Sequence, residues 1–283
     1  MKALRWKKIR PKNYGKAREF LKARENRYVS ACARFLHIKD RRDEVWALVS
    51  GSDEPYSALL LYYRESLYPI FGGCRDIPLP PFLDRIIFKV PVHSIQGPRE
   101  DVEILEELVK GNDYNPAEQI DYDLMSIDEK PPLNNLLGYG PPDLILRPPE
   151  KKDIDEIYIL QSAYEQEEVL PKGADFYPAA CRTNLERILK SEEMLLACLG
   201  PQIAGKINTN AKSFSRYQIG GVYVRPECRG RGIAVRMTTA FIDSLINKGS
   251  GAALFVKKNN ARAKAVYDRV GFKINGNYRI SYF

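Results

Sequence analysis

The chain has 283 residues, of which 44% are hydrophobic, enough to pack one large domain or two ordinary ones. No apolar stretch approaches the roughly 20 residues that span a bilayer, and the basic start, MKALRWKKIRPK, lacks the apolar run of a secretory signal, so a cytoplasmic protein with no membrane partner is expected. The net charge of +8 admits anionic partners, whereas five scattered cysteines and two histidines, His37 and His93, argue against a disulfide framework, a zinc site or any histidine-based metal centre.

The positive charge is concentrated at the start, from Lys2 through Arg5, Lys7, Lys8, Arg10, Lys12, Lys16, Arg18, Lys22, Arg24, Arg27 and Arg34 to Lys39, against Glu19, Glu25 and Asp40. No nucleic-acid-binding motif accompanies it, so it reads as a solvated helix face rather than a nucleic-acid surface. Helices are predicted over 13–27 and 29–37, short strands over 45–50, 57–63 and 68–71, a helix over 99–110 and a strand over 120–127. This is an α+β pattern with no glycine loop of chemical content. Prolines, glycines and Asn134-Asn135 then crowd residues 130–149 and interrupt regular structure, which places a domain boundary there, with domains at 1–138 and 143–283.

The second half reads as a mixed α/β sheet of roughly six to seven strands flanked by helices. It begins with a strand at 144–146 and a helix over 151–168, with Asp153 near the helix start. A helix over 178–190 follows, then a hairpin of strands 194–199 and 202–209 about Gly200-Pro201, and a strand over 217–225. The pattern continues with a helix over 234–247, a strand over 252–257, a helix over 261–270 and a closing strand pair about Asn275-Gly276-Asn277.

Between the strand ending at Val224 and the helix near Ala234 lies Arg225-Pro226-Glu227-Cys228-Arg229-Gly230-Arg231-Gly232-Ile233. A strand, a tight glycine loop and a helix start form an anion site, because backbone N–H groups converge at the positive end of a helix. Gly230 and Gly232 allow close approach, and Arg225, Arg229 and Arg231 add positive field. The loop fits neither G-x-x-x-x-G-K-[ST] nor G-x-G-x-x-G. Downstream stands Asn260-Ala261-Arg262-Ala263-Lys264-Ala265-Val266-Tyr267-Asp268-Arg269-Val270-Gly271-Phe272.

With both segments in order, residues 144–283 closely resemble the GNAT superfamily of acyl-CoA-dependent N-acyltransferases. Arg229, Gly232 and Ala234 meet its pyrophosphate loop [QR]-x-x-G-x-[GA]; Asn260, Ala263, Tyr267, Gly271 and Phe272 meet its second motif N-x-x-A-x-x-x-Y-x-x-x-G-F. The resemblance implies acetyl-CoA as co-substrate and an amine of unknown identity, on a small molecule or a protein, as acceptor. It implies that Val222, Tyr223 and Val224 pair with the pantetheine arm and that N–H groups of Arg229, Gly230, Arg231, Gly232, Ile233 and Ala234 hold the pyrophosphate. Asn260 would bond the arm, Ala263 would leave it room, and Tyr267 would protonate the departing thiolate.

In this family a bulge splays two strands before the loop and offers an N–H to the thioester carbonyl, and Gly220-Gly221 is the candidate for the same here. An amine must lose a proton before attack, and Glu165, Glu167 and Glu168 are candidates to bind or deprotonate the acceptor, with Glu165 and Glu168 preferred for acceptor binding and Glu227 a poorer choice. The first half faintly echoes strand-loop-helix at Ser94-Ile95-Gln96-Gly97-Pro98-Arg99, where proline removes an N–H, and suggests a degenerate copy of a tandem GNAT protein. An acyl-CoA-binding regulatory protein without turnover, and a transferase fused to an N-terminal nucleic-acid-binding module, remain as alternatives.

Overall fold

A computed structural model describes residues 4–38, 42–51, 55–74, 76–80, 83, 92–110, 114–132, 136, 138–170 and 173–283. Lys2, Lys39, Asp40 and Asn134-Asn135, which entered the reading of charge and of the domain boundary, lie outside the described residues. The chain divides into two compact units, Met1–Leu124 with Asn275–Phe283, and Met125–Ile274.

The first unit contains β1 (Arg5–Lys8), α1 (Tyr14–Lys22), α2 (Glu25–Leu36), β2 (Glu44–Val49), β3 (Ala58–Tyr63), β4 (Ser66–Ile70), β5 (Ser94–Pro98) and α3 (Arg99–Lys110). β6 (Glu118–Ile127) carries the chain towards the second unit. Its strands run in the order β1-β2-β3-β4-β5-β12, all antiparallel neighbours except the parallel pair β4–β5. β3, ALLLYY, is buried at every position, as an apolar run between covered faces should be. α3 buries Val102, Leu105 and Val109, spaced to share one face. β1 has no apolar alternation to announce it: only Trp6 of Arg-Trp-Lys-Lys is buried, and the charged neighbours suit an edge strand.

The second unit contains β7 (Leu144–Arg147), α4 (Ile154–Tyr164), α5 (Pro178–Ser191), β8 (Met194–Leu199), β9 (Gln202–Lys212), β10 (Arg216–Val224), α6 (Ile233–Asn247), β11 (Gly251–Lys257) and α7 (Ala261–Val270), and begins β12 (Lys273–Tyr282). The sheet order is β11-β10-β9-β8-β7, with β10–β11 its parallel pair. One apolar cluster joins this sheet to α6 through Ile233, Met237, Phe241 and Leu245. A second joins it to α4 and α5 through Ile157, Leu160, Leu185 and Ile188. Each unit is thus a mixed sheet flanked by helices, and each begins strand, two helices, three strands and later has a parallel strand followed by a helix, with α6 ahead of that parallel strand in the second unit.

Three local expectations are corrected. The Asn275-Gly276 dipeptide does not turn: β12 runs unbroken from Lys273 to Tyr282, Gly276 avoids the left-handed region, and Tyr278–Tyr282 pair with β5. Ser94–Arg99 contains no loop, since β5 ends at Pro98 and α3 begins at Arg99. The helix expected over 151–168 is a 3-10 turn at Lys151–Asp153, then α4, then a π-helical turn at Glu165–Val169. A π turn widens the helix and re-aims its side chains, a feature found often at functional sites. The start of this segment is fixed by Arg147, whose guanidinium donates to both Asp153 carboxylate oxygens at 2.6 and 2.8 Å.

Candidate functional site

The expected bulge is present in β10. Gly220 pairs with Asn208 and Tyr223 with Lys206, so Gly221 and Val222 together oppose the single Ile207. Both glycines are required by what β9 puts against them. A β-carbon at Gly220 would fall 2.0 Å from Asn210 Nδ2, and one at Gly221 would fall 1.9 Å from Asn208 Oδ1, with φ at Gly221 also +58°. On the other edge, parallel pairing of β10 with β11 ends at Ile219↔Leu254, although β11 continues to Lys257. Val222, Tyr223 and Val224 therefore lie beyond the last paired residues, where the two strands part.

The glycine loop follows at once. Pro226–Cys228 form a 3-10 turn, Gly230 and Gly232 have φ of +77° and +79°, and Gly232 is the residue before α6. The first helical bond is Arg236 N–H to Gly232 O at 3.1 Å, so the amides of Ile233 and Ala234 precede the helix ladder at its positive end. The Arg229 amide is engaged otherwise, donating to Pro226 O at 3.2 Å. Its guanidinium donates to Glu167 at 2.9 and 2.8 Å and to Val224 O at 2.9 Å, and covers the Tyr223 ring. That pairing holds the Glu167 carboxyl below its usual range. Arg225 is likewise turned to Glu156 at 3.0 Å, and Arg231 is exposed. The positive field of the loop thus comes from its amides, the helix end and Arg231 more than from Arg225 or Arg229.

Asn260 caps α7: its Oδ1 accepts from Ala263 N–H at 3.0 Å, and its Nδ2 donates to Glu168 at 3.1 Å. This brings Glu168 and Asn260 together, and Ala263 sits half-buried one turn into the helix. Tyr267 faces inward from the same helix, its ring edge-on to Phe272. Burial, and then the nearby Tyr164 and Glu168, push its phenol well above the ordinary range. It is therefore protonated and neutral at physiological pH. Glu165 lies apart from Glu168, accepting from Gln161 Nε2 at 2.7 Å and Asn184 Nδ2 at 3.1 Å. Glu227 stands near Gln202 on the far side of the loop, within 3.4 Å.

Sequence reasoning missed a polar group behind the bulge. Lys206 is fully buried, donating to Asn208 Oδ1 and to Gly221 O, each at 3.0 Å, with its ammonium over the Tyr164 ring. Burial pulls Lys206 down to about 7, opposed by Glu165 and Cys181. The signal was legible: Lys206, Asn208 and Asn210 alternate along β9, and all three approach the two glycines opposite. The five cysteines are all free, and among the described residues no group could hold a metal ion and no helix is long and apolar enough to cross a membrane.

Residues 154–272 match the acetyltransferase (GNAT) family. Among solved structures, the chain is similar to a Drosophila protein at TM-score 0.68 and 10% identity, with 98% of each chain covered. A GCN5-related N-acetyltransferase from Sphaerobacter thermophilus aligns at TM-score 0.65 and 18% identity, over 98% of this chain and 94% of that one. A tandem GNAT protein from the clavulanic acid biosynthesis pathway aligns at TM-score 0.53 and 11% identity, over 99% and 98%. At such identities the likeness is one of fold, and it extends through the first unit as well as the second. No curated protein matches the chain by sequence. The bulged and parted strands, the left-handed glycine loop and the family match converge on one statement: residues 154–272 are a GNAT acetyltransferase domain.

Proposed function

We propose that the protein transfers an acetyl group from acetyl-CoA to a primary amine by direct attack. The observation that carries this reading is the end of β10–β11 pairing at Ile219↔Leu254, immediately ahead of the glycine loop and the α6 N-terminus. An extended amide-bearing arm can lie along Val222, Tyr223 and Val224 as a strand would, while Gly230, Arg231, Gly232, Ile233 and Ala234 receive its pyrophosphate. Arg229 frames this loop through its side chain, and Asn260 and Ala263 border the arm from α7.

The acceptor nitrogen attacks the thioester carbonyl, the C–S bond breaks, and Tyr267 donates its phenolic proton to the departing thiolate. The acidic turn carrying Glu165 and Glu168 receives the acceptor and its released proton. Acceptor identity resides in such variable segments, not in the two motifs.

The first unit is assigned as a copy that holds no cofactor. Asp101 and Ala263 are each the third residue of the helix that follows the parallel strand of their unit. The buried Asp101 carboxylate accepts from Phe71 N–H at 2.8 Å and Tyr28 O–H at 2.7 Å, so this helix start is engaged in internal bonds where α7 carries a small side chain.

The test is thiol release from acetyl-CoA over a panel of small amines, amino acids and peptides. Amine-dependent release is expected, and Tyr267→Phe should lower kcat about 100-fold with acetyl-CoA affinity kept. Absence of release with every amine, from protein that binds acetyl-CoA, would favour a regulatory role instead.

A further inference from the structure

Lys206 is a costly residue to bury. An ammonium removed from water requires compensation, and at this site it comes from two hydrogen bonds, the Tyr164 ring and the neighbouring Glu165. A methionine of similar length would pack the same space without that cost. One of the two bonds is to the backbone of the bulge itself, the Gly221 carbonyl at 3.0 Å. The Tyr164 hydroxyl also lies beside the Gly221 backbone, and Lys206 grips this glycine through its carbonyl.

The direction of the next N–H follows from this grip. The peptide Gly221–Val222 is planar and trans, so its N–H points opposite to its C=O. With the carbonyl turned to the Lys206 side-chain nitrogen, the Val222 N–H points away from that nitrogen. Strand parity gives the edge it faces. Arg225 N–H bonds Ala204 O on β9, so Tyr223, two residues back, also faces β9, while Val222 and Val224 face the opposite edge. That edge is the one from which β11 parts after Ile219↔Leu254.

We propose that Lys206 is a positioning residue for acyl transfer: its side-chain nitrogen fixes the Gly221–Val222 peptide and, in its charged form, polarises it, so that the N–H expected of the family's bulge, here Val222 N–H, stabilises the negative oxygen formed when the acceptor attacks the thioester. A carbonyl bonded to a cation draws electron density from its own amide, and so strengthens that amide as a donor. The effect belongs to the transition state, where the oxygen is charged, more than to the neutral bound thioester. The inference rests on the acetyl-transfer reading above.

The experiment compares Lys206→Met and Lys206→Gln with the wild-type chain, measuring kcat, both KM values, acetyl-CoA affinity and the infrared C=O stretch of bound 13C-labelled acetyl-CoA. Lys206→Met is expected to lose at least ten-fold in kcat, with KM and affinity within about two-fold, and to move the C=O stretch to higher frequency as the donor weakens. Lys206→Gln, which can still donate to Gly221 O without the charge, should fall between. Unchanged kcat in either folded variant, or a loss confined to KM, overturns the proposal. If Lys206→Met does not fold, the Lys206→Gln comparison and its carbonyl stretch decide it alone. Should the wild-type chain bind no acetyl-CoA, the acetyl-transfer reading itself fails, an outcome distinct from an unaffected variant.

Discussion

The Arg229 guanidinium and the Glu167 carboxylate form a two-pronged pair, at 2.9 and 2.8 Å, that ties the glycine loop to the π turn after α4. Both partners are substantially exposed, so the pair contributes at most about 1 kcal/mol to stability. Its greater effect is on charge. Glu167→Gln removes the carboxylate bonded to Arg229 beside the proposed diphosphate position and leaves only the weaker influence of Glu168. Acetyl-CoA should then bind several-fold more tightly in low salt, with the gain shrinking as salt is raised. Calorimetric titration at two ionic strengths measures this; a gain independent of salt would contradict it.

The two left-handed glycines of the loop separate space from conformation. A β-carbon at Gly230 meets nothing within 4 Å, whereas one at Gly232 would fall 2.8 Å from the Gly140 backbone nitrogen. Gly230→Ala should therefore cost only about 1–2 kcal/mol of backbone strain while weakening acetyl-CoA at least ten-fold. Gly232→Ala should lose both affinity and several further degrees of Tm. Parallel thermal melts and titrations distinguish them, and equal stability losses would show that the Gly232 contact with Gly140 relaxes freely.

Gly220 owes its identity to a neighbour rather than to its own backbone, since its β-carbon would overlap Asn210 Nδ2 and its φ is not left-handed. Gly220→Ala should destabilise by about 1–3 kcal/mol, and Asn210→Ala should recover most of that in the double variant. Gly221→Ala should not be recovered in this way, because φ of +58° strains any L side chain there. A double-mutant cycle read by denaturant unfolding measures the coupling, and strict additivity would refute the packing account.

Lys206 also makes a stability prediction with a definite sign. Its pKa is pulled down to about 7 in the folded chain by burial, against Glu165 and Cys181, while in the unfolded chain it is near ~10.4. Between these values the unfolded chain binds the extra proton, so the burden of burying Lys206 is full below pH 7 and is relieved as pH rises towards 10. The groups facing it are Tyr164 and Glu165, Cys181 on α5 and Asn208 on its own strand. Lys206→Met should be more stable than the wild type at neutral pH, with the difference narrowing on the alkaline side. A difference constant from pH 7 to 10 would show that Lys206 keeps an ordinary pKa.

What the sequence disclosed follows physical rules of short range. The glycine loop, the bulge at Gly220-Gly221 and the Asn260 to Phe272 helix were legible because glycine φ, helix capping and apolar periodicity are written locally. The Asn275-Gly276 turn misled for the opposite reason: pairing of Tyr278–Tyr282 with β5 overrode a local preference. β1 was hidden because an edge strand with one buried residue carries no alternation. The partners of Glu165, Glu167 and Glu168 could not be read, since each is set by a side chain remote in sequence, such as Asn184, Arg229 or Asn260. Lys206 lay between these cases, visible as an alternating polar stripe but meaningful only once Gly221 stood opposite it.

The most direct test of the account is calorimetric titration of the full chain with acetyl-CoA. It predicts saturable binding at one site per chain, weakened by Gly230→Ala and untouched by substitution of Asp101's surface neighbour Glu100→Gln in the first unit. No binding, two equivalent sites, or affinity indifferent to Gly230→Ala would contradict it.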